Sequence, residues 1–478
     1  MSGPLVVVGD TLLDVDLVGT AGRLSPDAPV PVLDDLVEHP RPGGAGLAAA
    51  MAAADGHDVV LVTALGDDEA GDTVADLLAA RQVRLLRLPY DGPTPVKKRV
   101  RSAGQSLLRL DSGSRGGTLR EPPSEVLDAL SSAGAVLVAD YGRGVTGVAA
   151  LREALARLPH QAPVTWDPHP RGSEPVPGVR LVTPNQVEAA GYAARHGVAE
   201  AATGLASVRA QADGLVAAWR ARAVAVTLGA SGALLSYGHG APVVTPAPHV
   251  HCVDPCGAGD RFAVAAAVAL GEGLVTTEAV QAAVHRAAAY VAAGGPASLR
   301  PVPASHDPGR APDDASHAAP GPAALAERVR ARGGTVVATG GCFDLLHAGH
   351  VATLEAARRL GDCLVVLVNS DDSVRRLKGP SRPLVPVADR VRVLEALECV
   401  DAVLVFGEDT PVEAIREVRP HVWAKGGDYA GYEVPEASAL AEWGGQAVVL
   451  PYLQGRSTTA LVQTAKATRT STRETREV

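Results

Sequence analysis

The sequence predicts an α/β protein built as two successive domains, and three observations lead there. At 478 residues the chain is longer than one hydrophobic core usually organises. Hydrophobic residues make up 46% of it but aromatic residues only 3%, so Val, Leu and Ala must fill the cores, as in parallel sheets covered by helices. Short β-branched runs alternate with Ala/Leu-rich helical stretches on both sides of one polar segment.

In chain order, strands are expected at Leu5 to Val8, Val59 to Thr63, Ala135 to Ala139 and Val224 to Leu228, parallel and joined by crossover helices. Residues 301–323 are rich in Pro, Asp, Ser, Gly and His without apolar periodicity, which marks a linker between a domain over 1–300 and another over 324–465. The alternation then restarts with a strand at Thr335 to Ala338, a helix from about His350, a strand at Cys363 to Asn369, a helix from about Val387 and a strand at Ala402 to Phe406. Residues 466–478 mix Thr, Arg and Glu without an apolar face and read as a disordered tail.

Composition excludes several classes. Forty-four basic against 53 acidic side chains give a net charge of −9, with no block of like charge, so nothing calls for nucleic acid or a membrane surface. No leader pattern opens the chain, and no apolar run reaches the roughly 20 residues of a membrane helix. A cytoplasmic protein is expected. Cys252, Cys256, Cys342, Cys363 and Cys399 form no CxxC pair, so reduced thiols are expected.

The first domain carries a candidate phosphate site. Asp254-Pro-Cys-Gly257-Ala258-Gly259-Asp260 runs directly into a helix-forming stretch, and small residues before a helix let backbone N–H groups approach an anion. Asp260 would stand where a sugar hydroxyl meets a γ-phosphate, as a general base must. A glycine turn with an aspartate cap is the plainer alternative. In the second domain, Gly341-Cys-Phe343-Asp344-Leu-Leu-His347-Ala-Gly-His350 follows a strand and enters a helix, aiming two imidazoles at one small volume where they could donate to an α-phosphate. A metal pair and packing histidines are the alternatives. A GxGxxG match at Gly142 to Gly147 lacks the rest of a dinucleotide site, and His249, His251, Cys252 and Cys256 lack zinc spacing.

GAGD opening a late helix resembles the signature of the ribokinase-like, PfkB-type carbohydrate kinases, and four further segments fall in that family's order. The resemblance makes Asp10 and Asp14 sugar-binding carboxylates and Gly43 and Gly44 the glycine pair beside the sugar. It makes Asn185 and Glu188 an indirect Mg²⁺–phosphate segment, and Thr227, Gly229, Gly232, Gly257, Ala258 and Gly259 nucleotide contacts. Segments around Arg23, Arg109 and Arg143 look like those of the heptose 7-phosphate kinases, in which these arginines would clamp a distal phosphate, although each could be an ordinary surface arginine. The chain departs from the pattern at Leu47 (Asn expected), at Pro255-Cys256 and at His169 (Lys expected).

The paired histidines resemble the HxGH motif of nucleotidylyltransferases related to cytidylyltransferases. Further matches imply that Lys378 and Lys425 neutralise a triphosphate, that Gly341, Phe343, Asp344, Asp371, Arg382, Asp428 and Arg456 bind the nucleotide, and that Ser457 and Thr458 cap a helix beside its phosphates. The chain has five lysines against 39 arginines, so lysines placed beside glycines read as phosphate ligands rather than casual charge. Together the halves resemble a family of bifunctional heptose 7-phosphate kinase / heptose 1-phosphate adenylyltransferases. That resemblance implies ATP and Mg²⁺, sugar-phosphate substrates, a separate phosphatase acting between the two steps, and a homodimer. The alternatives are another sugar phosphate, or a kinase half reduced to a binding or assembly module.

Overall fold

The computed structural model describes residues 1, 3–28, 30–102, 105–113, 116–198, 204–250, 254–299, 321–427 and 434–451. Two compact units emerge: Met1–Ala199 with Ala210–Gly229 and Ala247–Pro303, and Glu200–Arg209 with Ala230–Pro246 and Ala304–Val478. Most of the expected linker, and the whole of the expected tail, lie outside the described residues.

The strands of the first unit are β1 (Leu5–Gly9), β2 (Thr11–Leu24), β3 (Pro31–Gly44), β4 (Val59–Thr63), β5 (Arg84–Arg87), β6 (Val96–Ser102), β7 (Gln105–Ser112), β8 (Ala135–Ala139), β9 (Val164–Asp167), β10 (Leu181–Val182) and β11 (Val224–Thr227). Seven of them form a parallel sheet in the order β5-β4-β1-β8-β9-β10-β11. Because β1 has no side-chain exposure from Leu5 to Val8, its near-continuous apolar run is what a strand covered on both faces requires. Helices Ala45–Ala54 and Ala258–Gly271 lie against this sheet, and Ala45, Ala48, Ala49, Ala263 and Ala267 form the contact with Leu5, Val7 and Leu137. Alanine lets the helix backbones approach closely, so the core closes with almost no aromatic volume.

β2, β3, β6 and β7 form a separate sheet in the order β3-β2-β6-β7. The parallel-strand expectation did not include it. β2–β3 and β6–β7 are antiparallel; β7 is exposed along its whole length and shows no inward alternation, while in β2 Leu13, Val15 and Leu17 pack on the core between Asp14 and Asp16.

The second unit contains the hairpin β12 (Ala233–Ser236) and β13 (Val243–Thr245). Its other strands are β14 (Val336–Gly341), β15 (Cys363–Asn369), β16 (Ala402–Phe406), β17 (Val422–Gly426) and β18 (Gln446–Leu450). These five run parallel in the order β16-β15-β14-β17-β18. In both parallel sheets the strand order reverses beside the first strand, between β1 and β8 and between β14 and β17. A doubly wound sheet opens a crevice at that point, outside the carboxyl ends of its strands.

Candidate active sites

In the first unit the crevice is a cavity of about 620 Å³ lined by Asp10, Lys97, Arg109, Tyr141, Arg143, His169 and Arg171 among others. Each element delivers its residue from a strand end. Asp10 follows β1, Tyr141 lies just past β8, and Asp167 closes β9. Asp10 is buried, and its carboxylate accepts from the amides of Tyr141 (3.0 Å), Arg143 (2.9 Å) and Val145 (3.1 Å), so it shapes the loop after β8 as well as lining the cavity. Gly44 takes φ 62°, and a Cβ there would stand 2.4 Å from the Asp10 carbonyl oxygen, so only glycine lets the chain turn beside β1.

Asp260 lies in the first turn of helix Ala258–Gly271, behind Gly257, whose φ of 77° makes the sharp entry. The first-turn amides of any helix have no intrahelical acceptor, which leaves positive potential at this end. Asp260 is 8% exposed, and burial pushes its carboxyl up to about 6 even though the Tyr141 hydroxyl donates to Oδ1. Asp167 is raised well above the usual range by burial first and the Asp260 charge second, and its Oδ1 accepts from Thr183 Oγ1 at 2.8 Å. A buried carboxylate of raised basicity at a helix N-terminus can take a proton from a hydroxyl.

Four cations converge on the cavity: Lys97, whose ammonium is lowered by burial, with Arg109, Arg143 and Arg171. Arg109 also grips Asp111 with two hydrogen bonds, of 2.9 and 2.6 Å. Arg23 does not join them and stands exposed near Asp34. Asp14 pairs with Arg99 at 3.0 Å and lies 3.7 Å from Arg41. Asn185 and Glu188 form a capping box on helix Gln186–Arg195, and burial raises Glu188. Thr227 ends β11, and Gly229 and Gly232 take positive φ about the turn Gly229–Ser231. Gly43 packs its backbone against Leu12 and Asp14. Leu47 packs with Met51, Tyr290, Val291 and Ala258 beneath the glycine turn.

In the second unit the two histidines meet. His347 caps helix Ala348–Arg358, its Nδ1 accepting from the Gly349 amide at 3.1 Å, which makes Nε2 the protonated nitrogen of the neutral ring. His347 Nε2 and His350 Nδ1 are buried and have no partner among the described residues. The rings are 4.0 Å apart, and burial, His347 and Lys378 together push His350 down to about 4. Lys378 donates to Cys342 Sγ at 2.8 Å, beside this pair. Two imidazoles and an ammonium therefore surround one small volume, as stabilising a phosphate demands.

Several expected nucleotide contacts turn out to hold the loops. Asp344 is buried and accepts from Arg382 and from the amides of Leu384 (2.6 Å) and Val385 (3.0 Å); burial acts to raise it, but these donors hold it below the usual range. Asp371 accepts from Arg390 at 2.7 Å, and Arg390 also donates to the carbonyls of Cys342 and Val385. Phe343, at φ 47°, packs its ring edge-on to His350 and near Gly341. Lys425 pairs with buried Glu436 at 3.1 Å. Asp428, Arg456, Ser457 and Thr458 lie outside the described residues, as do His251 and Cys252. Among the described residues no group of three or more His, Cys, Asp or Glu side chains is arranged to hold a metal ion.

Sequence reasoning missed Lys97, Tyr141, Asp167 and Arg171 in the first site and Arg390 and Glu436 in the second. The scarcity of lysine was a usable signal for Lys97. Arg390 left none, because a buried arginine on an amphipathic helix reads as surface.

Comparison with known proteins places both halves. Residues 4–303 match the model of the pfkB family carbohydrate kinases, and residues 338–466 match the cytidylyltransferase-like model. A protein of Streptomyces coelicolor called Bifunctional protein HldE is 56% identical over 97% of this chain and 96% of its own. One of the same name from Azorhizobium caulinodans is 38% identical over 97% of this chain and 98% of its own. Among solved structures, a ribokinase of Arabidopsis thaliana complexed with ribose and ATP is 23% identical, with TM-score 0.49, over 63% of this chain and 96% of that one.

Proposed function

Because the chain belongs to the family of bifunctional HldE proteins, a carbohydrate kinase joined to a nucleotidylyltransferase, we propose that it makes ADP-heptose from D-glycero-D-manno-heptose 7-phosphate in two ATP-consuming steps. In the first, Asp260 takes the proton of the anomeric hydroxyl while that oxygen attacks the γ-phosphorus of ATP. ADP leaves, and the product is the 1,7-bisphosphate. A base near 6 is ionised at neutral pH and still basic enough for this transfer. Lys97, Arg109, Arg143 and Arg171 hold the 7-phosphate.

A separate phosphatase removes that 7-phosphate. In the second step, a phosphate oxygen of heptose 1-phosphate attacks the α-phosphorus of a second ATP, and pyrophosphate leaves. His347 donates from Nε2 to the α-phosphate, and Lys378 neutralises charge beside it. Magnesium, when bound with ATP, neutralises phosphate charge. Glu188, one oxygen of which accepts from the Asn185 amide, fits an ion held mainly by phosphates and water.

The observation that carries the reading is one cavity uniting Asp10, four cations and Tyr141, the hydrogen-bond partner of Asp260. That intact pairing disfavours a kinase half reduced to a binding module. Mass spectrometry of products after incubation with Mg²⁺, ATP and heptose 7-phosphate, with and without an added phosphatase, tests it. Bisphosphate alone is expected without phosphatase and ADP-heptose with it; no bisphosphate overturns the kinase reading. We also infer a cytoplasmic homodimer. Exposed Leu36, Val37, Leu108 and Leu110 on the four-stranded sheet supply apolar area for a second copy, and light scattering checks this. Among the described residues no helix is long and apolar enough to cross a membrane.

A further inference from the structure

We propose that Tyr141 is a positioning residue for the kinase step: its phenol fixes one oxygen of the Asp260 carboxylate while its backbone amide fixes Asp10, so one residue sets the base and the sugar-side carboxylate together. This rests on the reading of Asp260 as the base.

The geometry has three parts. The Tyr141 amide donates to Asp10 Oδ2 at 3.0 Å, and the hydroxyl of the same residue donates to Asp260 Oδ1. The tyrosine lines the cavity, and the His169 ring lies nearly parallel to it, with centroids 6.4 Å apart and planes at 19°. His169 is itself held from behind, since its carbonyl accepts from Tyr192 Oη at 2.6 Å. With Oδ1 held by the phenol, Oδ2 of Asp260 is the oxygen we assign to the substrate hydroxyl. A catalytic carboxylate needs its rotamer locked in this way, because loss of alignment costs rate without loss of binding.

Chemistry supports a donor that never ionises. Burial first, then the Asp260 charge, raise the Tyr141 phenol well above its ordinary value, so it remains O–H at any working pH. The groups facing Asp260 are Tyr141 past β8, Asp14 on β2, Lys97 on β6, Asp167 at the end of β9 and Tyr290 on helix Thr276–Ala292. Asp14 is a like charge that favours the protonated acid and Lys97 opposes it, while the Asp260 charge in turn raises Asp167. Among the described side chains, Tyr141 hydrogen-bonds to this carboxylate, and that bond favours the ionised form.

The test is Tyr141→Phe in the full chain, with kcat and KM for heptose 7-phosphate measured across about pH 5.5 to 9. Adenylyl transfer in the same preparation reports the fold of the second half, and thermal melting reports that of the first. The acid limb of kcat should move up by about one pH unit, kcat should stay severalfold lower on the high-pH plateau because the carboxylate is no longer aligned, and KM should change less than about twofold. Installing 3,5-difluorotyrosine at position 141, a stronger donor, should move the limb the other way, and it decides the matter if the phenylalanine variant fails to fold. An unmoved limb, or a KM that rises as much as kcat falls, overturns the proposal. Asp260→Asn separates the two readings: if it keeps kinase activity the base assignment fails, whereas an inactive Asp260→Asn beside an unshifted Tyr141→Phe removes only the role of the tyrosine.

Discussion

His350 lies with its ring 4.0 Å from that of His347, and the two imidazoles share one buried volume with the Lys378 ammonium close by. His347 is locked by its own helix, through Nδ1 and the Gly349 amide, whereas His350 has an unpartnered Nδ1 among the described residues. The pair is therefore organised to meet a ligand rather than to satisfy itself. Replacing His350 by Ala should lower adenylyl transfer by about 10²–10³-fold, the usual consequence of removing one preorganised donor, and leave bisphosphate formation intact. Separate assays of the two steps check this. Equal loss of both in folded protein contradicts it.

Charge around His350 gives a second expectation. Burial, His347 and Lys378 hold its imidazole down to about 4, below the ordinary 6.5. In the unliganded protein it should be neutral throughout the physiological range, and its NMR titration midpoint should fall near 4. A bound triphosphate brings negative charge and should raise the midpoint. The sign for stability follows from the depressed value: the contribution is full above 6.5 and is lost as pH falls through the folded midpoint. A midpoint near 6.5 without ligand, or one that ATP lowers, contradicts the packing described.

Asp260 carries the opposite sign. Its carboxyl is raised from 3.8 to about 6, so the native protein holds this proton more tightly than the unfolded chain. Stability from this group is fully present below about 3.8 and is lost as pH rises through about 6, leaving a cost of ~3 kcal/mol at neutral pH. Asp260→Asn should abolish the kinase step, spare adenylyl transfer and raise the melting temperature of the first unit at pH about 7.5, with the gain shrinking toward pH about 4. Calorimetry at both values measures it. A variant less stable at both contradicts the account.

The regular parts of the fold were legible because parallel strands buried on both faces are uninterrupted apolar runs. The expected spans at Val59 to Thr63, Ala135 to Ala139, Cys363 to Asn369 and Ala402 to Phe406 coincide with β4, β8, β15 and β16. β7 was not legible, since it mixes charges and exposed apolar residues with no buried face, whereas β2 carried a short alternation, Leu13, Val15 and Leu17 packing on the core between Asp14 and Asp16, that the expectation of parallel strands passed over. At the sites, motif residues at strand and helix ends, such as Asp10, Asp260 and His347, could be placed in advance because a glycine turn or a cap fixes the local backbone. Partner choice could not. Asp344 and Asp371 face Arg382 and Arg390 across 38 and 19 residues, and no spacing rule connects them.

Gly44 offers a steric test of the first site. It closes β3 at φ 62°, with the Ala45 amide donating to the Asp10 carbonyl at 3.0 Å. A methyl group at position 44 meets that same carbonyl at 2.4 Å, so the backbone on one side or the other must shift. Gly44→Ala should cost ~2–3 kcal/mol and raise KM for the sugar phosphate, because Asp10 shifts with its carbonyl. Denaturant melts and kinase kinetics measure both, and an unchanged KM in a folded variant contradicts the coupling.

Leu47 is where this chain departs from the carbohydrate kinases it resembles, and its surroundings say what restoring asparagine would do. The side chain is 4% exposed and packs with Met51, Tyr290, Val291 and Ala258, while a Cβ on Gly257 would come within 3.2 Å of both Leu47 and Met51. The residue thus props the glycine turn that precedes Asp260 from below. An amide placed there loses the apolar burial of leucine and must find hydrogen-bond partners in an apolar cluster. Leu47→Asn should therefore destabilise the first unit by ~2–4 kcal/mol and lower kcat through the turn, without widening the choice of sugar. Thermal melts, together with kcat/KM for heptose 7-phosphate against other sugar phosphates, decide it. Faster turnover at unchanged stability, or acceptance of a new sugar, would show that position 47 reaches the substrate after all.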